Sequence, residues 1–193
     1  STTRGEGGSE GGSESTSSVS YLRCAAKVPV PPFLRFECNG ASTTEIVIAL
    51  PLREASPNAD ASADALSAAD VFCFLPMRKV GLRFAVHAEW SLTSSRDDIH
   101  HDKAWNLFLR DAMPALFAAA VAAQPPDASS PALDYLPPGL RVSEPFWQPL
   151  IDGACRELRS SGLPVMRAET GELCALNQLL RRPSCVSRRL LSS

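Results

Sequence analysis

Hydrophobic and polar positions follow two different periods in the central part of the chain. Between Leu82 and Trp90, apolar residues alternate with arginine, histidine and glutamate at every second position. This alternation predicts a β-strand with one solvent-facing side. Between Trp105 and Val121, apolar residues recur at intervals of three and four, which predicts an amphipathic helix packed on the sheet. Pro114 interrupts that pattern and predicts a kink or a restart of the helix.

Two nearly continuous apolar runs predict buried strands. They are TTEIVIALPL, residues 43–52, which we expect to be covered on both faces, and VFCFLP, residues 71–76. YLRCAAKVPV, residues 21–30, also reads as a strand, and Pro29, Pro31 and Pro32 confine it to a sheet edge. The predicted fold class is therefore α+β, a mixed sheet with helices packed on one face.

The flanking sequence predicts four regions along the chain. Residues 1–20 contain fifteen glycine, serine or threonine residues, too few apolar groups to offset chain entropy, and we expect a disordered linker. Residues 21–123 form the α+β core, in which residues 53–70 are an acidic loop, and residues 124–142 are a proline-rich loop. Residues 143–193 form a small C-terminal helix and hairpin unit.

Within this last region, a helix is expected to begin near Ser143-Glu144-Pro145 and to end at Gly162. A β-hairpin with its turn at residues 169–172 follows, and a short helix is expected at residues 176–182.

Composition excludes several classes of protein. A hydrophobic content of 45%, a charged content of 21% and a net charge of −2 are typical of a globular protein and argue against general binding to nucleic acid or membranes. The six cysteines stand singly, without a C-x-x-C pair, and we interpret them as reduced thiols. No secretory segment or membrane span is present in the sequence, so we expect an intracellular protein, cytoplasmic or nuclear.

The sequence argues against a metal site and against a hydrolase. His100 and His101 lie beside acidic residues, but adjacent histidines on a helix point about 100° apart and cannot both face one metal ion. No serine stands in a G-x-S-x-G motif, which argues against a hydrolase. We therefore expect no metal site in the chain.

The turn SLTSSRDDI, residues 91–99, contains the one residue that local structure does not explain. Ser95 and Asp98 match a weak capping box, and Asp97 and Asp98 would favour the positive end of a helix dipole. Arg96 would be mildly unfavourable there. It either pairs with Asp97, Asp98 or the acidic loop, or it serves a function.

A family resemblance supports the second alternative. The order F-x-F-L-P, G-L-x-F, L-T-S-S-R-D-D-I and W-N, from Phe72 to Asn106, resembles the segment that follows the ATPase domain in sacsin and NO VEIN-type proteins of the GHKL ATPase superfamily. It resembles, more distantly, the middle domain of the ninety-kilodalton heat-shock chaperones. The weaker likeness begins at Tyr21 and covers most of the chain between the linker and residue 172.

The resemblance implies a function for Arg96. In the chaperones, the arginine of this turn moves toward the γ-phosphate of ATP bound in the preceding domain, and the matching residue here is Arg96. The chain itself lacks the motifs that bind adenine and magnesium. We therefore expect no enzyme and no cofactor in this chain, with ATP and Mg²⁺ held by an upstream domain.

On this interpretation the chain is a non-catalytic coupling module, and its partners are the upstream ATPase domain and client proteins. The alternative is a stand-alone interaction scaffold that has lost its ATPase domain.

Overall fold

A mixed five-stranded sheet forms the body of the protein in a computed structural model, which describes residues 20–52, 68–125, 131–167 and 173–175. The strands are β1 (Ser20–Pro29), β2 (Thr43–Leu52), β3 (Asp70–Cys73), β4 (Leu75–Lys79) and β5 (Ala85–Ala88), in the spatial order β1-β2-β5-β3-β4. Neighbouring strands are antiparallel except for the parallel pair β3 and β5. This arrangement confirms the predicted α+β class and places β1 at an edge.

Two helices accompany the sheet. Helix α1 (Ala104–Ala122) packs on β1 and β2, and α2 (Gln148–Ser161) packs against α1. Ile46 pairs with Ala88 and Ile48 pairs with Val86, so these four buried side chains lie on one face. Phe84, which directly precedes β5, contacts Phe117 of α1 with ring centroids 4.8 Å apart.

The alternation from Leu82 to Trp90 is confirmed as a burial pattern, although only residues 85–88 form a regular strand. Every second residue from Leu82 to Trp90 is buried. The last of these, Trp90, contacts Trp147 with ring centroids 5.3 Å apart, which joins the sheet to the segment that precedes α2.

Pro114 lies within α1, and the helix continues through it without a restart. Its ring packs against Gly153 of α2, where an added Cβ would lie 2.5 Å from Cγ of Pro114. Pro114 therefore removes one backbone N–H from α1, and its ring forms a close contact between the two helices.

The run VFCFLP is not one buried strand, so that prediction is wrong. The chain turns at Phe74, whose φ is +63°, and VFCFLP is divided between β3 and β4. Phe74 and Leu75 are 75% and 74% exposed. Pro76 lies in β4, the second edge strand of the sheet, and edge strands are where sheets accommodate proline.

Four short 3-10 helices are described, and the one at Pro145–Trp147 falls within the helix that was predicted to begin near Ser143-Glu144-Pro145. Two of them, Ala132–Tyr135 and Pro138–Leu140, lie in the proline-rich stretch, and the others are Pro32–Cys38 and Pro145–Trp147. Tyr135 is fully buried and its hydroxyl donates to the backbone oxygen of Pro51 at 3.2 Å. The proline-rich stretch therefore contributes to the core.

The C-terminal predictions are confirmed where they fall on described residues. Gly162 ends α2 in the left-handed conformation with φ +64°. The strands β6 (Pro164–Arg167) and β7 (Leu173–Ala175) form the expected antiparallel hairpin. The predicted linker up to residue 19, most of the acidic loop (53–67), the hairpin turn and the helix at 176–182 lie outside the described residues.

Candidate functional site

Residues 91–100 form a narrow loop between β5 and α1, here named the Arg96 loop. Its two sides are joined by backbone hydrogen bonds from Thr93 to Asp98 at 2.9 Å and from His100 to Ser91 at 3.0 Å. A bridge between Leu92 and Ile99 lies between these two bonds. The loop is thus a short two-sided ribbon with a tight tip.

Arg96 stands at that tip in an unusual conformation. Its φ is +59°, a left-handed value that costs a non-glycine residue about 1–2 kcal/mol. Its backbone N–H donates to the oxygen of Thr93 at 3.0 Å, which closes the turn. The side chain is exposed, and within the described ranges it forms no ion pair or hydrogen bond.

The two neighbouring carboxylates are occupied by other groups. Asp97 accepts hydrogen bonds from the hydroxyls of Ser95 and Thr93, and the Ser95 bond is the main reason that the pKa of the Asp97 carboxyl lies below its ordinary value. Asp98 forms an ion pair with Arg78 at 3.0 Å. The described structure therefore does not contain the expected alternative in which Arg96 pairs with either aspartate.

The predicted capping box at Ser95 and Asp98 is wrong. Helix α1 begins at Ala104 with Lys103 at its N-cap, and no side chain caps it. Ser95 donates to Asp97, and Asp98 accepts from the backbone N–H of Ile99 at 2.8 Å. Serine and aspartate side chains can bond to nearby groups in turns as readily as at helix starts, and here they complete the loop.

Asn106 of α1 fixes the base of the Arg96 loop. Its side chain is fully buried. Its Oδ1 accepts from the N–H of Ser91 at 2.8 Å, and its Nδ2 donates to the oxygens of Ser91 and His100 at 2.9 and 2.7 Å. The neighbouring Trp105 donates from Nε1 to the oxygen of Glu89 at 2.8 Å. The consecutive residues Trp105 and Asn106 thus bind the backbone at both ends of the loop.

Sequence reasoning explained Trp105 by packing and gave Asn106 no role. One signal could have identified Asn106 from the sequence. It directly follows a tryptophan of the apolar stripe, and a polar side chain buried in such a position requires hydrogen-bond partners.

A cluster of charged and polar side chains, here named the Arg78 cluster, lies on the other side of the loop. It contains Arg78, Asp98, His101 and Glu144. Arg78 binds Glu144 at 2.7 Å as well as Asp98, and the His101 ring stacks on Phe146 at 4.8 Å. These groups are partly exposed, so each pair contributes little on its own. Together they connect β4, the loop and the segment that precedes α2.

Within the described ranges, no group of three or more His, Cys, Asp or Glu side chains is arranged so that it could hold a metal ion. No helix in the same ranges has the length and apolar character needed to cross a membrane.

Comparison with known proteins gives one similarity. The chain is 45% identical over 51 residues to Protein NO VEIN from Arabidopsis thaliana, a stretch that covers 26% of this chain and 2% of that protein. No family model matches the chain, and no solved structure matches it. The similarity supports the NO VEIN part of the resemblance, while the sacsin and chaperone parts remain predictions.

Proposed function

We propose that this chain is a non-catalytic coupling module of a larger chaperone-like ATPase and that it presents Arg96 to a nucleotide held in an upstream domain. The observation that carries the proposal is the state of Arg96, an exposed cation without an ion-pair partner among the described residues, on a loop tied at its base. The two adjacent carboxylates, which could have neutralised it, bind other groups.

The chemistry follows from the properties of a guanidinium. An arginine keeps its charge at all physiological pH values and offers a planar set of donors that matches phosphate oxygens. Supplied to a nucleotide in another domain, it stabilises the negative charge that develops as the phosphoryl group is transferred, an effect of about 10³ to 10⁵ in rate for a true arginine finger. The adenine and magnesium contacts belong to the partner domain in this proposal.

Substitution of Arg96 in the full-length gene product tests the proposal. Arg96→Ala should lower ATP turnover at least about tenfold and leave ATP affinity nearly unchanged, because the contact strengthens only in the transition state. Arg96→Lys keeps the charge without the planar guanidinium, and its turnover should lie between those of wild type and Arg96→Ala. Equal turnover of wild type and Arg96→Ala, in a protein with an active ATPase domain, would contradict the proposal.

A stand-alone interaction scaffold is the second candidate, and exposed aromatic residues favour it. Phe33 and Phe36 are 71% and 74% exposed on one short 3-10 helix. Residues three apart in such a helix lie on the same side, so the two rings form an apolar pair open to a partner. The full-length transcript separates the candidates, since the first requires an upstream nucleotide-binding domain in the same gene.

A further inference from the structure

The side chain of Asn106 is fully used by the Arg96 loop. An asparagine amide offers two N–H donors and one carbonyl acceptor, and here both donors and the carbonyl bind backbone groups of Ser91 and His100. The residue lies in the first turn of α1 but caps no group of its own helix. Its hydrogen bonds therefore serve the loop.

The location of these bonds determines what they control. Ser91 and His100 face each other at the base of the loop, where His100 also donates to the oxygen of Ser91. Asn106 binds the N–H and the oxygen of Ser91 and so fixes the orientation of that residue's backbone. The base is then joined to α1 by these bonds, and Arg96 lies only five positions after Ser91 and four positions before His100.

We propose that Asn106 is a positioning residue that sets the location of Arg96, an inference that rests on the proposed function of Arg96. A charge that must meet a transferring phosphoryl group acts only when it is placed correctly, and a displacement of about 1 Å can cost about 10²-fold in rate. Asn106 touches no nucleotide in this scheme. It acts through the backbone of Ser91 and His100.

A double-mutant cycle in the full-length gene product tests this role. Asn106→Ala should lower turnover at least about tenfold with little change in ATP affinity, because the loop still exists but no longer holds Arg96 in place. In an Arg96→Ala background the same substitution should cause no further loss. A merely structural role would lower turnover by the same factor in both backgrounds.

Met113→Ala is the matched control. Met113 lies in the same helix and is also fully buried, but none of the hydrogen bonds of the loop involves it. It should lower thermal stability, since it leaves a cavity, without lowering the turnover of the folded protein.

Hydrogen exchange on the wild-type 193-residue chain gives a measurement that does not depend on a variant folding. The backbone amides of Ser91 and His100 should exchange at least about tenfold more slowly than the amide of Ser94 near the exposed tip. Equal exchange rates at these sites would overturn the inference.

The outcomes separate this inference from the function on which it rests. If Arg96→Ala lowers turnover and Asn106→Ala does not, the positioning role is overturned and the proposed function stands. If Arg96→Ala leaves turnover unchanged, both are overturned.

Discussion

Arg96 combines an unfavourable backbone conformation with an exposed charge that no described side chain neutralises. Neither feature contributes to the stability of the loop. A left-handed conformation is easiest for glycine, which has no Cβ. The loop therefore carries its arginine at a cost in stability, which is expected of a residue kept for function.

A substitution to glycine should reveal that cost. Arg96→Gly should raise the free energy of unfolding by about 0.5–1 kcal/mol, because the release of backbone strain exceeds the added entropy of the unfolded chain. Chemical denaturation of the 193-residue chain measures the change. Arg96→Ala is the control, since it removes the side chain but keeps the strain, and it should stay within about 0.5 kcal/mol of wild type. A clear loss of stability in both variants would show that the side chain contributes to the fold.

At the residue scale, sequence reasoning singled out Arg96, whose role remains a prediction, and gave Asn106 no role. Arg96 was accessible to sequence reasoning because its neighbours are serines and aspartates that a turn explains, whereas an arginine requires a separate reason. Asn106 was not, because its partner Ser91 is fifteen residues away, and only the path of the chain brings the two together.

Helices α1 and α2 meet where Pro114 faces Gly153. Proline within a helix removes a backbone hydrogen bond and usually bends the helix. Here the ring lies against the backbone of α2 at a position that admits no side chain. The pair thus fixes how closely the two helices approach.

Gly153→Ala should destabilise the protein by about 1–3 kcal/mol, because a methyl group at this position must displace the Pro114 ring or separate the helices. Helix propensity alone predicts the opposite change in stability, because it favours alanine over glycine by about 1 kcal/mol. Chemical denaturation provides the test. Glu157→Ala, on the exposed side of α2, is a control that should change stability by less than about 0.5 kcal/mol. Unchanged or higher stability in Gly153→Ala would contradict the close contact.

Elements with a regular apolar pattern over many residues could be predicted from the sequence. Features that depend on the backbone conformation of a single residue could not. α1, α2 and β2 follow their patterns closely because each buries a stripe or face of apolar residues. Edge strand β1 alternates between exposed and partly buried positions. The division of VFCFLP at Phe74 depends on a positive φ in a phenylalanine, which no sequence pattern indicates. The start of α1 was misplaced because the serines and aspartates of the Arg96 loop resemble a helix cap.

The whole molecule combines a helix-covered sheet face with a loop that leaves the sheet beside α1. Because β3 and β5 are parallel and aligned, their C-terminal ends lie at the same end of the sheet. Phe74 follows β3 there and the Arg96 loop follows β5, so an exposed ring and an exposed cation lie toward the same end. A neighbouring domain that met Arg96 would approach this end of the sheet.

The isolated chain should bind ATP only weakly. We expect a dissociation constant above about 100 µM, an affinity weaker than roughly −5.5 kcal/mol, because one exposed arginine without adenine or magnesium contacts supplies too little binding energy. Titration calorimetry with ATP and magnesium measures it. Tighter binding would place a nucleotide site within this chain and contradict the assignment of that site to another domain.

The most direct test of the central claim locates the γ-phosphate relative to the Arg96 loop. An ATP analogue with a photoreactive group on its γ-phosphate would be bound to the full-length gene product, irradiated and mapped by mass spectrometry. An excess of unlabelled ATP should remove the specific labelling. Our account predicts cross-links to the peptide that contains residues 91–100, in addition to those in the ATPase domain. Cross-links confined to the ATPase domain, in a protein that turns over ATP, would contradict it.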